Sequence, residues 1–254
     1  MKFLIFSLML GIFNAHSEES IYKVILYHKA NPPYSFFENN ARAGIFYDMF
    51  AEIGKITGLK FEFVTLSVAR GRIQFNLGKV DIEPGINPIW RRDELVQGLY
   101  SISYAYSNEV ILAKSAMYTT DVTKFYGEVI GKVRGYGYGD FEQHFGEGKI
   151  LISDNVSESM LVEQLYNDRF KYILIGEVTA AYYAHVNDKY SDFTVAYEVQ
   201  RLPVSMRVHP QHPKLLEQIN AALKIMLEEG TIETIYGKYG FKIRETAPGA
   251  SINE

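Results

Sequence analysis

The residues best suited to recognition chemistry lie in one short segment, residues 85–92 (GINPIWRR). It combines a Gly-Ile-Asn-Pro turn, the only tryptophan of the chain, Trp90, and two adjacent guanidinium groups, Arg91 and Arg92. A planar guanidinium offers paired donors that match the two oxygens of a carboxylate, so one interpretation is an anion clamp. The other is an ordinary solvated loop. The types of these residues alone do not distinguish an anion clamp from a solvated loop.

Other combinations of reactive side chains do not form a recognisable catalytic or metal motif. The glycine–tyrosine loop at residues 134–140 (RGYGYGD) allows close backbone approach to a ligand, but it lacks the spacing of a dinucleotide or Walker loop. His209 and His212 are separated and followed by prolines, which break the helical spacing that would aim both imidazoles at one metal ion. The chain has no cysteine and no Gly-x-Ser-x-Gly elbow. We therefore predict no metal, no cofactor and no catalytic residue.

The elements that must position these residues follow from the spacing of apolar side chains. Two α/β units of similar rhythm are predicted, one before residue 83 and one after residue 125. In the first unit, strands are expected at 22–27, 60–66 and from 79, with helices at 44–57 and 67–77. In the second, strands are expected at 127–134, 149–152 and 172–175, with helices at 140–145, 157–167 and 177–186.

Two further extended segments, residues 107–114 and 202–208, are predicted to connect the units as antiparallel crossovers. The chain would leave the first lobe, build the second, and return to end in helices at 213–229 and 232–239. Such a double hinge allows two rigid lobes to close on a ligand. The predicted domains are residues 18–108 with 205–254 for lobe one, and residues 109–204 for lobe two.

The start of the chain and its overall charge indicate an exported protein. Residues 1–17 carry Lys2, an apolar run and a small-residue site, which together predict a signal peptide cleaved after Ser17. The 254-residue chain has 26 basic and 30 acidic residues, and loss of Lys2 leaves 25 against 30, a net charge of −5. This balance excludes a nucleic-acid partner, and no second apolar run is long enough to span a membrane. The periplasm is the predicted location, and a monomer is the default expectation.

The order of short motifs along the chain resembles the periplasmic solute-binding proteins of family 3. The motifs are residues 32–34 (PPY) with 44–48 (GIFYD), 77–81 (LGKVD), 85–92, 100–104 (YSISY), and the closing helices between 209 and 239. The resemblance implies a type II, two-lobed α/β fold with two mixed sheets, flanking helices and two hinge strands. It also implies a small-molecule partner, an amino-acid-like solute with a carboxylate, and an inner-membrane ABC permease that receives it.

The resemblance also implies which residues of the segment at 85–92 contact the ligand. Arg92 aligns with the family's arginine that forms a two-pronged pair with the ligand carboxylate, and Arg91 is one residue away. Gly85 would present its backbone amide to the same carboxylate. Asn87 would add a side-chain donor. Aromatic walls of the cleft are expected from Tyr34, Phe36, Trp90, Tyr136 and Tyr138.

One departure from the family concerns recognition of an ammonium group. The family places an aspartate on a strand-to-helix turn of the second lobe, and this chain has Gly176 at the matching position. Glu177, the next residue, is the predicted substitute, although its side chain would point differently. We interpret the change as the sign of a different ligand.

Two other functions remain open on the same scaffold. One is an enzyme similar to periplasmic cyclohexadienyl dehydratase, for which Glu83, His28 and Glu177 are the candidate acids or bases. The other is a soluble ligand-sensing partner of a membrane receptor.

Overall fold

The computed structural model describes residues 21–27 and 31–243. The predicted signal peptide and His28 lie outside these residues. The strands are β1 (Ile21–Tyr27), β2 (Phe36–Glu38), β3 (Ala41–Ala43), β4 (Lys60–Leu66), β5 (Ile82–Ile86), β6 (Leu99–Tyr100), β7 (Ala105–Lys114), β8 (Val129–Val133), β9 (Leu151–Asn155), β10 (Tyr172–Gly176) and β11 (Phe193–Val208). The helices are α1 (Ile45–Thr57), α2 (Val68–Asn76), α3 (Gln143–Gly146), α4 (Glu158–Tyr166), α5 (Glu177–Val186), α6 (Pro213–Glu228) and α7 (Thr231–Lys238).

Helix α1 shows how local sequence sets an element and its end. Ile45, Met49, Phe50 and Ile53 repeat at helical spacing and are all buried, so this face packs on the core. Gly58 ends the helix in the left-handed conformation with φ of 76°, and its N–H donates to the Gly54 carbonyl at 2.9 Å. Glycine adopts this conformation without the steric cost that a Cβ brings.

The main sheet follows the order β4-β1-β5-β11-β7-β10-β8-β9, with β6 paired to β11. Strands β4, β1 and β5 are parallel at one end, and β10, β8 and β9 are parallel at the other. Between these parallel sets, β11 is antiparallel to both β5 and β7, and β7 is antiparallel to β10. The predicted mixed α/β fold class with flanking helices is confirmed.

The crossover strands β7 and β11 pair with each other along nearly their whole shared length. Their antiparallel ladder runs from Phe193 opposite Lys114 to Val204 opposite Ala105, so the predicted segment 107–114 pairs mainly with residues 193–201, which were not predicted as a strand, and only 202–204 of the predicted segment 202–208 take part. The register shifts between Val195 and Tyr197 and again between Glu198 and Gln200. Such irregularities bend a strand and increase its twist, which allows the sheet to curl.

Buried apolar side chains form separate clusters on the two sides of these strands. One cluster joins β1, β5, α1, α6 and α7, and two others lie on the opposite faces of β7, β10 and β8. Val178 of α5 belongs to the first cluster, so α5 also packs on that core. The exact boundaries of the two lobes stay predictions.

The spacing of apolar residues failed to predict the short strands β2, β3 and β6 and the first part of β11, residues 193–201. The β2–β3 hairpin has only three residues in each strand, too few to produce a detectable alternation. Within residues 21–27 and 31–243, no helix has both the length and the apolar character needed to cross a bilayer.

Candidate functional site

The segment at 85–92 folds as a strand end followed by a short 3-10 helix, Pro88–Arg91. Asn87 Oδ1 accepts from the Ile89 N–H at 2.9 Å, and Asn87 Nδ2 donates to the Pro203 carbonyl at 2.7 Å. The Asn87 amide therefore caps the 3-10 helix and ties it to β11. Trp90 is partly exposed at the same turn.

Gly85 lies where a side chain would not fit. Its φ is 71°, and a Cβ at this position would be 2.8 Å from Cζ of Phe46. The hydroxyl of Tyr104 lies 3.8 Å from the same point. Glycine at this position thus allows β5 to approach the rings of Phe46 and Tyr104.

Arg91 is buried and turned toward the preceding strand. Its Nε lies 3.1 and 3.2 Å from the two carboxylate oxygens of Glu83, and Nη2 donates to Oε1 at 2.5 Å. The remaining nitrogen, Nη1, donates to the Trp90 carbonyl at 3.0 Å. All three nitrogens of Arg91 already donate to protein acceptors, so its guanidinium serves the interior of the fold.

Glu83 is the centre of a buried ion triad that the sequence did not indicate. Arg207 Nη1 donates to Glu83 Oε2 at 2.8 Å, and the Tyr27 hydroxyl donates to Oε1. Glu83 and Arg207 are both fully buried, and the Arg207 guanidinium lies 3.9 Å from the centre of the Phe75 ring. Although burial acts to raise the pKa of Glu83, the hydrogen bond and charge of Arg91 lower it below its ordinary value. The carboxylate is therefore held ionised.

Arg92 is separated from this triad. Its side chain is 71% exposed, and its Nε lies 3.4 Å from Oδ2 of Asp93, which is also exposed. The structure thus divides the two arginines between the protein interior and the solvent. The ligand contact predicted for Arg92 stays a prediction.

The predicted aromatic walls have different neighbours. The ring of Tyr34 lies 5.3 Å from that of Phe46, beside the turn that precedes α1. Phe36 packs instead against Tyr182 and Tyr239, with ring centres 5.6 and 6.1 Å apart. Phe36 therefore joins the β2 hairpin to α5 and α7.

Two tyrosines of the glycine–tyrosine loop lie next to acidic side chains. The Tyr136 hydroxyl donates to Glu158 Oε1, at the start of α4, at 2.8 Å. Tyr138 is 1% exposed, and its hydroxyl has no hydrogen-bond partner among the described residues. Burial raises the pKa of both hydroxyls, with Glu158 the next cause for Tyr136 and Glu109 for Tyr138. Both hydroxyls stay protonated, and that of Tyr138 is the one without an acceptor among the described residues.

Glu109, in the middle of β7, is the functional candidate that the sequence analysis missed. Its Oε2 atom is buried without a hydrogen-bond partner in the described part of the chain. Burial, and next the charge of Glu158, raise the pKa of this carboxyl to about 7, while a hydrogen bond from Ser107 acts in the opposite direction. The available signal was a single acid directly before the apolar run at 110–113 of the predicted strand 107–114 (SNEVILAK).

Glu177, the predicted substitute for the family aspartate, faces away from Glu109. It is 4% exposed, and its Oε2 accepts from Asn108 Nδ2 at 2.9 Å. Adjacent residues of a strand point to opposite faces, so the neighbour of Asn108 on β7, Glu109, lies on the other side of the sheet. Glu177 lines a cavity of about 310 Å³ together with Phe241 and Phe193.

The two histidines considered for metal binding have separate roles. His212 Nε2 lies 2.8 Å from Asp81 Oδ1, while the ring of His209 packs against Phe75 with centres 5.2 Å apart. Among the residues that the structure describes, no three His, Asp or Glu side chains are grouped so that they could hold a metal ion.

Comparison with known proteins gives one family match and many structural ones. The model of "Bacterial extracellular solute-binding proteins, family 3" matches residues 24–242. No curated protein matches the chain. Similar solved structures include an ancestral arginine-binding protein bound to arginine, with 21% identity, 86% of this chain and 97% of that chain covered, and a TM-score of 0.67.

Two further structures have the same overall fold. Substrate-binding domain 2 of GlnP from Lactococcus lactis, in an open conformation, is 18% identical, with 91% of this chain and 98% of that chain covered and a TM-score of 0.67. The ancestral amino-acid-binding protein AncCDT-1, a precursor of cyclohexadienyl dehydratase, is 21% identical, with 87% and 95% covered and a TM-score of 0.67. At these identities the likeness shows the fold alone, and it is the predicted type II fold.

Proposed function

Because the chain belongs to family 3 of the bacterial extracellular solute-binding proteins, we propose that it is an exported receptor for a small amino-acid-like solute. The solute is enclosed between the two lobes and delivered to an inner-membrane ABC permease. The receptor works in the periplasm, as a monomer, after removal of residues 1–17.

The observation that carries this proposal is a contact between the two predicted lobes, in which the ring of Phe36 of lobe one lies 5.6 Å from the ring of Tyr182 of lobe two. Tyr34 follows β1 in lobe one, whereas Glu158 begins α4 in lobe two. Burial raises the pKa of the Tyr34 hydroxyl well above its ordinary value, and Tyr236, Glu109, Tyr104 and Glu158 add to this effect. The direction of this shift agrees with a position of the Tyr34 ring on the side of lobe one that faces lobe two.

Closure around the solute supplies the signal for the permease. A ligand that contacts both lobes only when they are close together stabilises the closed state and shifts an existing equilibrium toward it. The paired strands β7 and β11 connect the lobes, and their register shifts are natural points of bending.

Glu83, one of the candidate acids or bases of the enzyme alternative, is not suited to catalysis. Glu83 accepts hydrogen bonds from Arg91, Arg207 and Tyr27 and is held ionised inside the fold. A carboxylate so engaged does not exchange protons with a substrate at neutral pH. Likeness to a dehydratase precursor supports a shared fold and gives no further reason to expect catalysis.

A ligand screen with a structural readout tests the receptor proposal. The mature chain is scanned by thermal shift against amino acids, dicarboxylates and amines, and each stabilising compound is followed by small-angle X-ray scattering. We expect one chemical class to raise the melting temperature and to reduce the radius of gyration. If no small molecule does either, or if the bound compound is chemically converted, the receptor proposal is wrong.

The same assay tests the predicted carboxylate contact. If Arg92 forms the two-pronged pair, Arg92→Ala weakens binding by about 2–5 kcal/mol, the usual effect of truncating one partner of a buried charged pair. Unchanged affinity would remove Arg92 from the site and leave the receptor function in place.

A further inference from the structure

The carboxylate of Glu109 has the properties of a group that binds a ligand. It lies on the face of β7 that also carries Ile111 and Ala113, which pack in one cluster with Tyr138. Its Oε2 atom is buried and has no donor among the described residues. A buried oxygen left without a hydrogen bond costs free energy, and a donor supplied by a ligand would remove that cost.

The side chains around Glu109 add negative potential and tyrosine rings. Glu158 is the charge that raises the pKa of Glu109, and it also acts on the hydroxyls of Tyr34, Tyr136 and Tyr138. The carboxylates that raise the pKa values of these four groups are Glu109, Glu158 and, for Tyr138, Glu142, while the ammonium of Lys132 lies 5.9 Å from the centre of the Tyr138 ring. A site of this kind attracts cations and repels carboxylates.

The glycine at position 176 leaves room for the Glu109 carboxylate. Gly176 is directly opposite Glu109 in the β7–β10 ladder. A Cβ built on Gly176 would lie 3.9 Å from Glu109 Oε1, so any longer side chain would compete for the same space. Because Gly176 of β10 has no side chain, the Glu109 carboxylate of β7 has space beside it.

From this arrangement we propose that Glu109 is the cation-binding residue of the cleft and selects solutes that carry an ammonium or guanidinium group. This inference rests on the proposed receptor function and names its substrate class. Glu109 supplies the opposite charge, and the Tyr34 and Tyr136 rings offer the cation apolar area and π faces. A carboxylate on the solute is not required for binding.

An organic cation fits this site better than a metal ion. Calcium takes six to eight oxygen ligands, whereas the cluster offers the carboxylates of Glu109 and Glu158. The tyrosine hydroxyls are held protonated by burial, which makes them poor metal ligands. Rings at the edge of a carboxylate are the usual surroundings of bound ammonium and guanidinium groups.

Binding of a cation should be coupled to loss of the Glu109 proton. The groups coupled to Glu109 are Ser107 on its own strand, Glu158 of α4, Tyr136 and Tyr138 before α3, and Tyr34 after β1. On the neighbouring strands the register partners are Gln200 of β11 and Gly176 of β10. On the opposite face of the sheet, Glu177 accepts from Asn108, and Arg201 stacks on the Tyr106 ring at 4.2 Å.

The test uses the mature full-length chain and matched probes. Arginine, agmatine, which is arginine without its carboxylate, and putrescine represent cations, while glutamate and leucine represent amino acids without a cationic side chain. Affinities are measured by calorimetry between about pH 5.5 and pH 8.5 for wild type, Glu109→Gln and Glu198→Gln. Glu198 is the matched control because it is another carboxylate with a buried, unpartnered oxygen, on β11.

We expect at least one cationic probe to bind, and agmatine to bind as well as or better than arginine. Glu109→Gln should weaken that binding by about thirtyfold or more, with Glu198→Gln within about twofold of wild type. Wild-type affinity should rise about tenfold per pH unit below pH 7 and level off above it, and this dependence should vanish in Glu109→Gln.

Other outcomes separate the inference from the function on which it rests. Binding of glutamate or leucine but of no cation, or cation binding that Glu109→Gln leaves intact, overturns the role of Glu109 and keeps the receptor function. Failure of every probe, with no ligand in the wider screen, overturns both.

Discussion

Arg91 and Glu83 form a buried two-pronged ion pair that joins the 3-10 helix at 88–91 back to the strand before it. Nε and Nη2 of the guanidinium both face the carboxylate, and Arg207 reaches the same carboxylate from β11 at 2.8 Å. The arginine-rich segment of the sequence is therefore anchored from inside the protein.

Arg91→Ala should destabilise the protein strongly because it leaves the Glu83 carboxylate with one fewer partner in the interior. Removal of one member of a buried ion pair costs about 3–5 kcal/mol. Arg92→Ala is the control, since its side chain is 71% exposed, and it should stay within about 0.5 kcal/mol of wild type. Urea unfolding at neutral pH measures both. Equal stability of the two variants would mean that the pair contributes little.

Gly98→Ala should disturb the same triad from the opposite side. Gly98 has φ of 84°, and a Cβ there would lie 2.8 Å from Cγ and 2.9 Å from Nε of Arg207. The methyl group therefore adds a clash with Arg207 to the backbone strain, and we expect a total loss of about 2–4 kcal/mol.

Gly135→Ala isolates the strain from the clash. Gly135 has the same φ of 84°, but a Cβ at this position would have no atom within 4 Å. This variant should lose only about 1–2 kcal/mol, the cost of the left-handed conformation. Denaturant unfolding of the two alanine variants gives the comparison, and a larger loss at Gly135 would contradict it.

The Glu109 carboxyl should make the stability of the unliganded protein depend on pH. Its pKa is raised from 4.5 to about 7 by burial first and by Glu158 second. Between these values the unfolded chain has released a proton that the folded chain still holds, so stability falls as pH rises. The penalty is absent below about pH 4.5 and complete above about pH 7, where it reaches about 3 kcal/mol.

Glu109→Gln removes this penalty because glutamine resembles the protonated acid. The variant should match wild type near pH 5 and exceed it by about 3 kcal/mol near pH 8. The free energy of unfolding of both proteins is measured by urea titration at a series of pH values. The difference between the two proteins at each pH isolates the contribution of Glu109 from that of all other groups. A difference that does not change with pH would contradict the raised pKa.

Tyr138→Phe should stabilise the unliganded protein by about 1 kcal/mol. The Tyr138 hydroxyl is buried without a partner among the described residues, and its removal eliminates a desolvation cost while the ring keeps its packing. Tyr190→Phe is the opposite case, because its hydroxyl donates to Glu163 at 2.7 Å, and it should lose about 0.5–1.5 kcal/mol. Thermal unfolding measures the change in stability of both variants. A loss of stability in Tyr138→Phe would contradict the prediction and indicate that the hydroxyl has a hydrogen-bond partner.

Local pattern was enough to predict most elements. The strand at 60–66 and the helix at 177–186 have the predicted bounds, and Gly58 ends α1 as expected. These features depend on side-chain spacing and on the conformations that glycine allows, and both can be read within a few residues of chain. The ordered motifs were also sufficient to identify the family.

The partners of the charged side chains were decided only by tertiary structure. Arg91 and Arg92 are adjacent and identical in type, yet one is buried against Glu83 and the other is exposed. Arg207 reaches Glu83 across 124 positions of sequence, and Gly176 meets Glu109 through the pairing of β10 with β7. A charge acts through space on whatever the fold brings near it, so its role depends on contacts between distant parts of the chain. The sequence alone therefore determined the family and the elements, while the folded sheet decided which acid was left without a partner.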